Sequence, residues 1–216
     1  MDKEFWLNKW KNGETGFHQP NAHWAVQKYW KAPTALNVLV PLCGKSRDIL
    51  WLLQRGHTVI GVELSEMAIL EFFVESKLRY SIDEEEKDGQ KVFKASDVPL
   101  ILIKGDFFNV KLPQPCHALY DRASLVALPK EMRKKYYDKL QQLLVETPYS
   151  LLTTVSFDDT KAGSPPFSIP IEEFQHKSFY GPKVEEKELI EEEDKFREKG
   201  ITSFMERVFL QEKEKL

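Results

Sequence analysis

The feature that most constrains this chain is a change of hydrophobic period that repeats along its middle. Residues 35–40 form a short apolar run stopped by Pro41, the pattern of a buried strand. From 46 to 55, Ile49, Leu50, Leu52 and Leu53 recur at helical spacing, and Gly56 closes the segment. Residues 58–62 return to a β-branched strand pattern. Residues 66–76 are helical again, with Ala68, Ile69, Phe72 and Phe73 on one side. Further strands are predicted at 100–103, 118–120, 150–156 and 204–210, and an amphipathic helix at 130–146. This alternation predicts an α/β fold, a parallel sheet with helices on both faces.

Two charged stretches fall outside that rhythm. Residues 81–90 carry Asp83, Glu84, Glu85, Glu86, Lys87 and Asp88 and read as a solvated loop. Residues 185–199, with Leu189, Ile190 and Phe196 spaced among charges, read as an exposed helix or a helix plus turn.

A chain of 216 residues suits one α/β domain, residues 1–216. The formal net charge of -3 gives no reason to expect nucleic acid or an anionic membrane as partner. No apolar run is long enough to span a bilayer, and the start Met-Asp-Lys-Glu-Phe-Trp lacks an apolar signal core, so a cytoplasmic monomer is expected. Cys43 and Cys116 form neither a CxxC nor a Cys/His cluster, which speaks against a disulfide scaffold and a bound metal.

Ligands of parallel α/β sheets bind at the carboxyl ends of the strands. That rule selects 41–46, Glu63, 105–108 and 121–124. The first turn, Pro41-Leu42-Cys43-Gly44-Lys45-Ser46, holds a single glycine, so neither GxGxxG nor the P-loop pattern is satisfied. A dinucleotide pyrophosphate wants more glycine there; S-adenosylmethionine, which has no phosphate, does not. Glu63 ends its strand about twenty residues beyond that turn, the offset of an acid that accepts hydrogen bonds from ribose hydroxyls. Its bland alternative is a surface acid capping the next helix. Gly105-Asp106-Phe107-Phe108 offers a carboxylate beside aromatic rings, suited to adenine or simply to the core. Asp121-Arg122 is a strand-end pair open to a catalytic or a salt-bridge role.

Together these residues resemble the thiopurine S-methyltransferase family. The matching segments are Trp6, Trp10-Lys11-Asn12-Gly13, Gly16-Phe17-His18, Pro41 to Ser46, Gly56-His57 and Gly61-Val62-Glu63-Leu64-Ser65. They continue with Phe72-Phe73, Asp121-Arg122, Leu125-Val126-Ala127 and Pro165-Pro166-Phe167. The resemblance implies a single-domain class I methyltransferase fold, Rossmann-like, with a seven-stranded, mostly parallel sheet. It implies S-adenosyl-L-methionine as cofactor and S-adenosyl-L-homocysteine as product. By the same resemblance Trp10, Leu42, Glu63 and Arg122 contact the cofactor, Asp106 and Phe107 lie near its adenine, and Phe17 faces the acceptor. The N-terminal segment, 1–30, folds over the cofactor as a lid. Lys195 and Arg197 fall where a second basic residue for the acceptor is expected, and which of them serves is left open.

The activity so implied is methyl transfer to small thiols such as thiopurines, and to selenium or tellurium compounds. Arg122 is the catalytic candidate, since a guanidinium stays protonated and favours a thiolate. His18 is a candidate proton relay, against the commoner structural role of a lone His. Two other readings remain: a nicotinamide-dependent oxidoreductase on a similar sheet, and a non-catalytic module that binds S-adenosylmethionine.

Overall fold

The structure is a computed structural model. It describes residues 3–32, 35–85, 90–112, 115–158 and 163–212. Its contacts group into two compact units, residues 1–118 and residues 119–216.

The first unit opens with helices α1 (Lys3–Lys11) and α2 (Trp24–Tyr29). Strand β1 (Asn37–Val40), helix α3 (Asp48–Gln54), strand β2 (Thr58–Glu63) and helix α4 (Glu66–Ser76) follow in the alternation expected. Strand β5 (Leu100–Lys104) completes a parallel core: Leu39 pairs with Ile60, and Ile60 with Ile101. Both faces of β2 are covered from Val59 to Glu63, which explains its unbroken apolar run. Helix α4 starts on Ser65, whose hydroxyl accepts from the Ala68 N–H at 3.3 Å, and ends on Lys77 in the left-handed region at φ 56°. It buries Ala68, Ile69, Phe72 and Phe73, the residues picked out by period.

The expected loop at 81–90 is instead most of a hairpin. Strands β3 (Tyr80–Glu85) and β4 (Gln90–Ala95) pair antiparallel, and β4 pairs antiparallel with β5, giving the order β3-β4-β5-β2-β1. Residues 86–89 of that stretch lie outside the described residues. An outer strand tolerates charge because its faces are wet: Lys94 and Asp83 form an ion pair at 2.5 Å between the strands. Phe93 is fully buried, beside Phe73 with ring centroids 6.4 Å apart.

Strand β6 (Cys116–Arg122) runs across the division of the chain. In the second unit it is followed by a 3-10 turn (Leu125–Ala127), helix α5 (Lys130–Leu143) and strand β7 (Leu144–Ser156). The helix expected to reach 146 stops at Leu143, and the strand expected from 150 begins at Leu144. Beyond these come strand β8 (Lys183–Glu188), helix α6 (Asp194–Arg197) and strand β9 (Met205–Gln211), in the order β6-β7-β9-β8. Both β7 and β8 pair antiparallel with β9.

The expected exposed helix at 185–199 is thus the end of a strand, a 3-10 turn (Ile190–Glu192) and the single turn of α6. The apolar residues picked out there do cluster. Ile190 and Phe196 pack with Ile201 and Phe204, and Leu189 leans on them. Nine strands lie among the described residues, and six of them fall on predicted segments. Among the described residues no helix is long and apolar enough to cross a membrane.

Candidate active site

Three loops of the first unit leave the carboxyl ends of β1, β2 and β5, and they are tied to one another. The tie is Glu63. Its side chain is turned inward, with the residue 6% exposed. Its Oε2 accepts the Gly44 N–H at 2.8 Å and its Oε1 accepts the Ser65 N–H at 2.7 Å. The Glu63 carbonyl accepts the Gly105 N–H at 2.9 Å, which brings in the third loop. Burial pushes the Glu63 carboxyl above its usual range, and the backbone N–H groups of Ser65, Gly44 and Leu64 oppose that shift. A carboxylate offers about four lone-pair sites, so two backbone bonds leave it able to accept a pair of hydroxyls.

The first turn is shaped by two left-handed residues, Leu42 at φ 45° and Gly44 at φ 51°. Leu42 pays steric strain in that region, a pattern that clusters at ligand sites. Gly44 has a second reason to lack a side chain: a Cβ there would stand 3.0 Å from Cζ2 of Trp10. Trp10 is 4% exposed, so the last full turn of α1 is seated on this first turn. Phe17 lies edge-on to both Trp10 and Trp6, at 5.5 and 5.7 Å between ring centroids, and its own ring is exposed.

At the other end of α1, Lys3 forms an ion pair with Asp106 at 2.8 Å. The same carboxylate accepts from the Phe108 N–H at 3.1 Å and the Asn109 amide at 2.9 Å. Asp106 therefore shapes its own loop and holds α1. Of the two neighbouring rings, Phe107 is buried and Phe108 half-buried.

Lys45 and Ser46 do not form a phosphate cradle. The Lys45 ammonium lies 2.8 Å from Glu71 and 2.6 Å from Glu75, both on α4. The Ser46 hydroxyl donates to Asp48 at 2.9 Å. Cys43 is buried, and its thiol is pushed up by burial and by the charge of Glu63, so it is no nucleophile.

In the second unit the Asp121-Arg122 pair separates. Successive strand residues face opposite ways. Asp121 is turned into the core, where its Oδ2 accepts from Tyr136 at 2.8 Å and Tyr180 at 2.5 Å. Arg122 is half-buried on the other side of the strand. Ala123 then turns the chain at φ 62°. The family-like segments at 125–127 and 165–167 meet here, since the Phe167 N–H donates to the Val126 carbonyl at 2.7 Å. Pro165-Pro166 is a cis bond. Lys195 and Arg197 sit in α6 against acids of their own segment: Lys195 with Glu193 at 3.9 Å, Arg197 with Glu191 at 3.1 Å and with Asp194.

Sequence reasoning missed Ser65, Tyr136 and Tyr180. Ser65 carried a signal, because a Ser before an apolar helical run is an N-cap. The tyrosines carried none.

The fold is that of class I S-adenosylmethionine-dependent methyltransferases. The Burkholderia thailandensis 1,6-didemethyltoxoflavin-N1-methyltransferase, solved with 1,6-didemethyltoxoflavin and S-adenosylhomocysteine, is similar to it with a TM-score of 0.63 at 12% identity, covering 98% of this chain and 87% of that one. The family follows from sequence. The thiopurine S-methyltransferase family model matches residues 1–214, and the chain belongs to that family. The thiopurine S-methyltransferase of Pseudomonas fluorescens is 39% identical over 97% of this chain and 98% of its own length. That of Pseudomonas aeruginosa is 36% identical over 99% of this chain and the whole of its own. The protein is thus an S-adenosylmethionine-dependent enzyme that methylates sulfur on a small acceptor. The nicotinamide oxidoreductase and the non-catalytic module are set aside.

Proposed function

We propose that this enzyme methylates small, readily ionised thiols of the thiopurine kind, and selenium or tellurium nucleophiles of similar softness. The observation that carries the cofactor half of the reading is the buried Glu63 carboxylate, held by Gly44 and Ser65 with lone pairs left over. Leu42, Asp106 and Phe107 stand on loops joined to it by hydrogen bonds, Trp10 packs on the first of these from α1, and these residues fit an adenosine. When bound, S-adenosylmethionine supplies a methyl on a positively charged sulfur that departs as a neutral thioether.

The protein's part is to bind, orient and exclude water. Glu63 holds the ribose diol. Residues 1–30 act as a lid over the cofactor in a single methyltransferase domain, Trp10 packing on Gly44 and Lys3 pairing with Asp106. Phe17 presents an exposed ring to the acceptor. Arg122 keeps the acceptor as its thiolate, whose lone pair forms the new carbon–sulfur bond as the old one breaks. The proton is lost to solvent beforehand, so no strong base is needed. Placement of the reactants in line contributes roughly 7–11 kcal/mol in favourable cases. One of Lys195 and Arg197 supplies a further cation for acidic acceptors. The working state is a monomer in the cytoplasm.

The test is a methyl-transfer assay with labelled donor against thiopurines, simple alkyl thiols, selenite and tellurite. Turnover is expected to be fastest with thiopurines and measurable with the metalloid oxyanions. Preference for alkyl thiols, or no turnover with any thiopurine, overturns the acceptor assignment.

A further inference from the structure

Asp121 is a costly residue for its position. It is 0% exposed, one place before Arg122 on β6. A buried carboxylate is tolerated only when its oxygens find donors, and an apolar residue of similar size would be cheaper for stability alone. Its Oδ2 is met by two phenols from distant parts of the unit: Tyr136 on α5 at 2.8 Å, and Tyr180 from the segment before β8 at 2.5 Å. Ser124 and Leu125, in the turn after Arg122, favour its ionised form, but its Oδ1 has no hydrogen-bond partner among the described residues.

Both phenols are themselves fixed. Tyr136 is fully buried and meets Tyr137 edge-on at 6.2 Å. The Tyr180 ring is boxed by Phe179 at 4.8 Å and Phe174 at 5.6 Å, both edge-on. Its backbone neighbours are tied down. Ser150 donates to the Phe179 carbonyl at 2.5 Å, and the Leu210 N–H donates to the Pro182 carbonyl at 3.1 Å.

On the far side of Arg122 the chain is equally constrained. Ala123 is left-handed without being glycine, at φ 62°. The Ser124 hydroxyl donates to the Arg122 carbonyl at 3.4 Å, and the Ala127 N–H to the Ser124 carbonyl at 3.0 Å. Arg122 is thus held on one side by a carboxylate in two directional hydrogen bonds and on the other by a strained turn. Strain of this kind persists where the surroundings over-determine the backbone, and it gathers at functional sites.

We propose that Tyr136 and Tyr180, acting through Asp121, are positioning residues that set the direction of the Arg122 guanidinium for methyl transfer. The proposal rests on the reading of Arg122 as the group that favours the thiolate. The network supplies geometry alone: no proton or electron passes through it. Loss of one phenol lets the end of β6 relax and the guanidinium wander, and small misplacements of a catalytic group are felt strongly in rate.

The experiment is a double-mutant cycle on 6-mercaptopurine methylation at saturating S-adenosylmethionine. The proteins are the wild type, Arg122→Lys, Tyr136→Phe, Tyr180→Phe and the combination of Tyr180→Phe with Arg122→Lys. Tyr137→Phe is the control, because that neighbouring phenol bonds Glu173 at 3.1 Å and not Asp121. Tyr136→Phe and Tyr180→Phe are expected to lower kcat roughly three- to tenfold with little change in KM for the cofactor, read separately by varying S-adenosylmethionine. Their thermal midpoints should fall further than that of Tyr137→Phe, because each leaves the buried Asp121 carboxylate short of a donor, so kcat is read well below every midpoint; Tyr137→Phe keeps its kcat. In the Arg122→Lys background, Tyr180→Phe should cost little more, because the group being aimed has already lost its fork.

Unchanged kcat in both Tyr→Phe variants overturns the proposal, as does an equal loss from Tyr180→Phe in either background. Should one tyrosine variant fail to fold, the other carries the same comparison. An Arg122→Lys enzyme as fast as the wild type overturns the reading of Arg122 itself, a result distinct from additivity in the cycle.

Discussion

The Gly44 N–H donates to Glu63 Oε2 over 2.8 Å, joining residues nineteen positions apart on two different strand ends. One carboxylate builds the first turn, and under the proposed function the same group accepts the ribose diol. If the proposed role holds, substitution of Glu63 must show in both folding and cofactor binding.

Glu63→Ala is expected to weaken S-adenosylmethionine binding by roughly ten- to a hundredfold, the scale of hydrogen bonds to a charged acceptor. It should also lower stability by about 1–3 kcal/mol, since the Gly44 and Ser65 N–H groups lose their buried partner. Glu63→Gln keeps an acceptor oxygen and should fall between. Calorimetric titration beside a urea melt reads both quantities. Wild-type affinity in Glu63→Ala would remove the ribose role.

The pH dependence of stability has a marker in His57. Its ring is buried, and the Trp30 indole N–H donates to its Nε2 at 3.0 Å, which requires the neutral ring. Burial lowers its pKa below the usual 6.5. As pH falls, the unfolded chain therefore takes up this proton before the folded one does. The stabilisation is full above about 6.5 and drains away below it, down to the lowered folded value. Glu63 and Asp121, whose carboxyls are raised by burial, act in the opposite sense in acid. The effect of His57 must therefore be read as a difference. Between pH 7 and 5 the wild type should lose more thermal midpoint than His57→Gln. Parallel curves would show that the ring carries its charge in the folded state.

How much of this was readable in advance follows the chemistry of each element. Strands β1, β2, β5, β6, β7 and β9 announce themselves because their apolar runs are buried. Strands β3 and β8 hide because they are outer strands of charge-rich sequence, and the same composition suits a loop or an exposed helix. The place of Glu63 at the end of its strand was legible from the apolar run before it; that its side chain is buried against the first turn was not. The left-handed Leu42 was not, since nothing in a leucine signals positive φ. Nor were Tyr136 and Tyr180: fifteen and fifty-nine positions from Asp121, they meet it only through tertiary packing.

The cysteines should be silent. Cys43 is buried beside the Glu63 charge, and burial pushes the Cys116 thiol up to about 12. Neither is paired in a disulfide. Reactivity follows the thiolate, so Ellman's reagent at pH 8 should label neither in the folded enzyme and both after denaturation. Cys43→Ala should methylate thiopurines at close to the wild-type rate. Rapid labelling of the native protein would mean that the first turn opens far more readily than its hydrogen bonds imply.

Gly181 offers a test of how firmly Tyr180 is held. A Cβ built on it would lie 1.9 Å from the Leu210 carbonyl oxygen and 2.6 Å from the Gln211 nitrogen. These are backbone atoms of β9, paired along that strand with β7, so they cannot swing aside as a side chain would. The glycine is required here by close approach, not by its φ. Gly181→Ala must push the segment outward, at a cost of about 1–3 kcal/mol or more as overpacking. The displacement falls next to Tyr180, whose phenol reaches Asp121, so kcat should drop along with the urea midpoint. Adding Tyr180→Phe to Gly181→Ala should then cost little further kcat, because the phenol has already been drawn off the carboxylate. A Gly181→Ala enzyme with wild-type midpoint and wild-type kcat would mean that this backbone contact is loose and that Tyr180 owes its place to its ring neighbours alone.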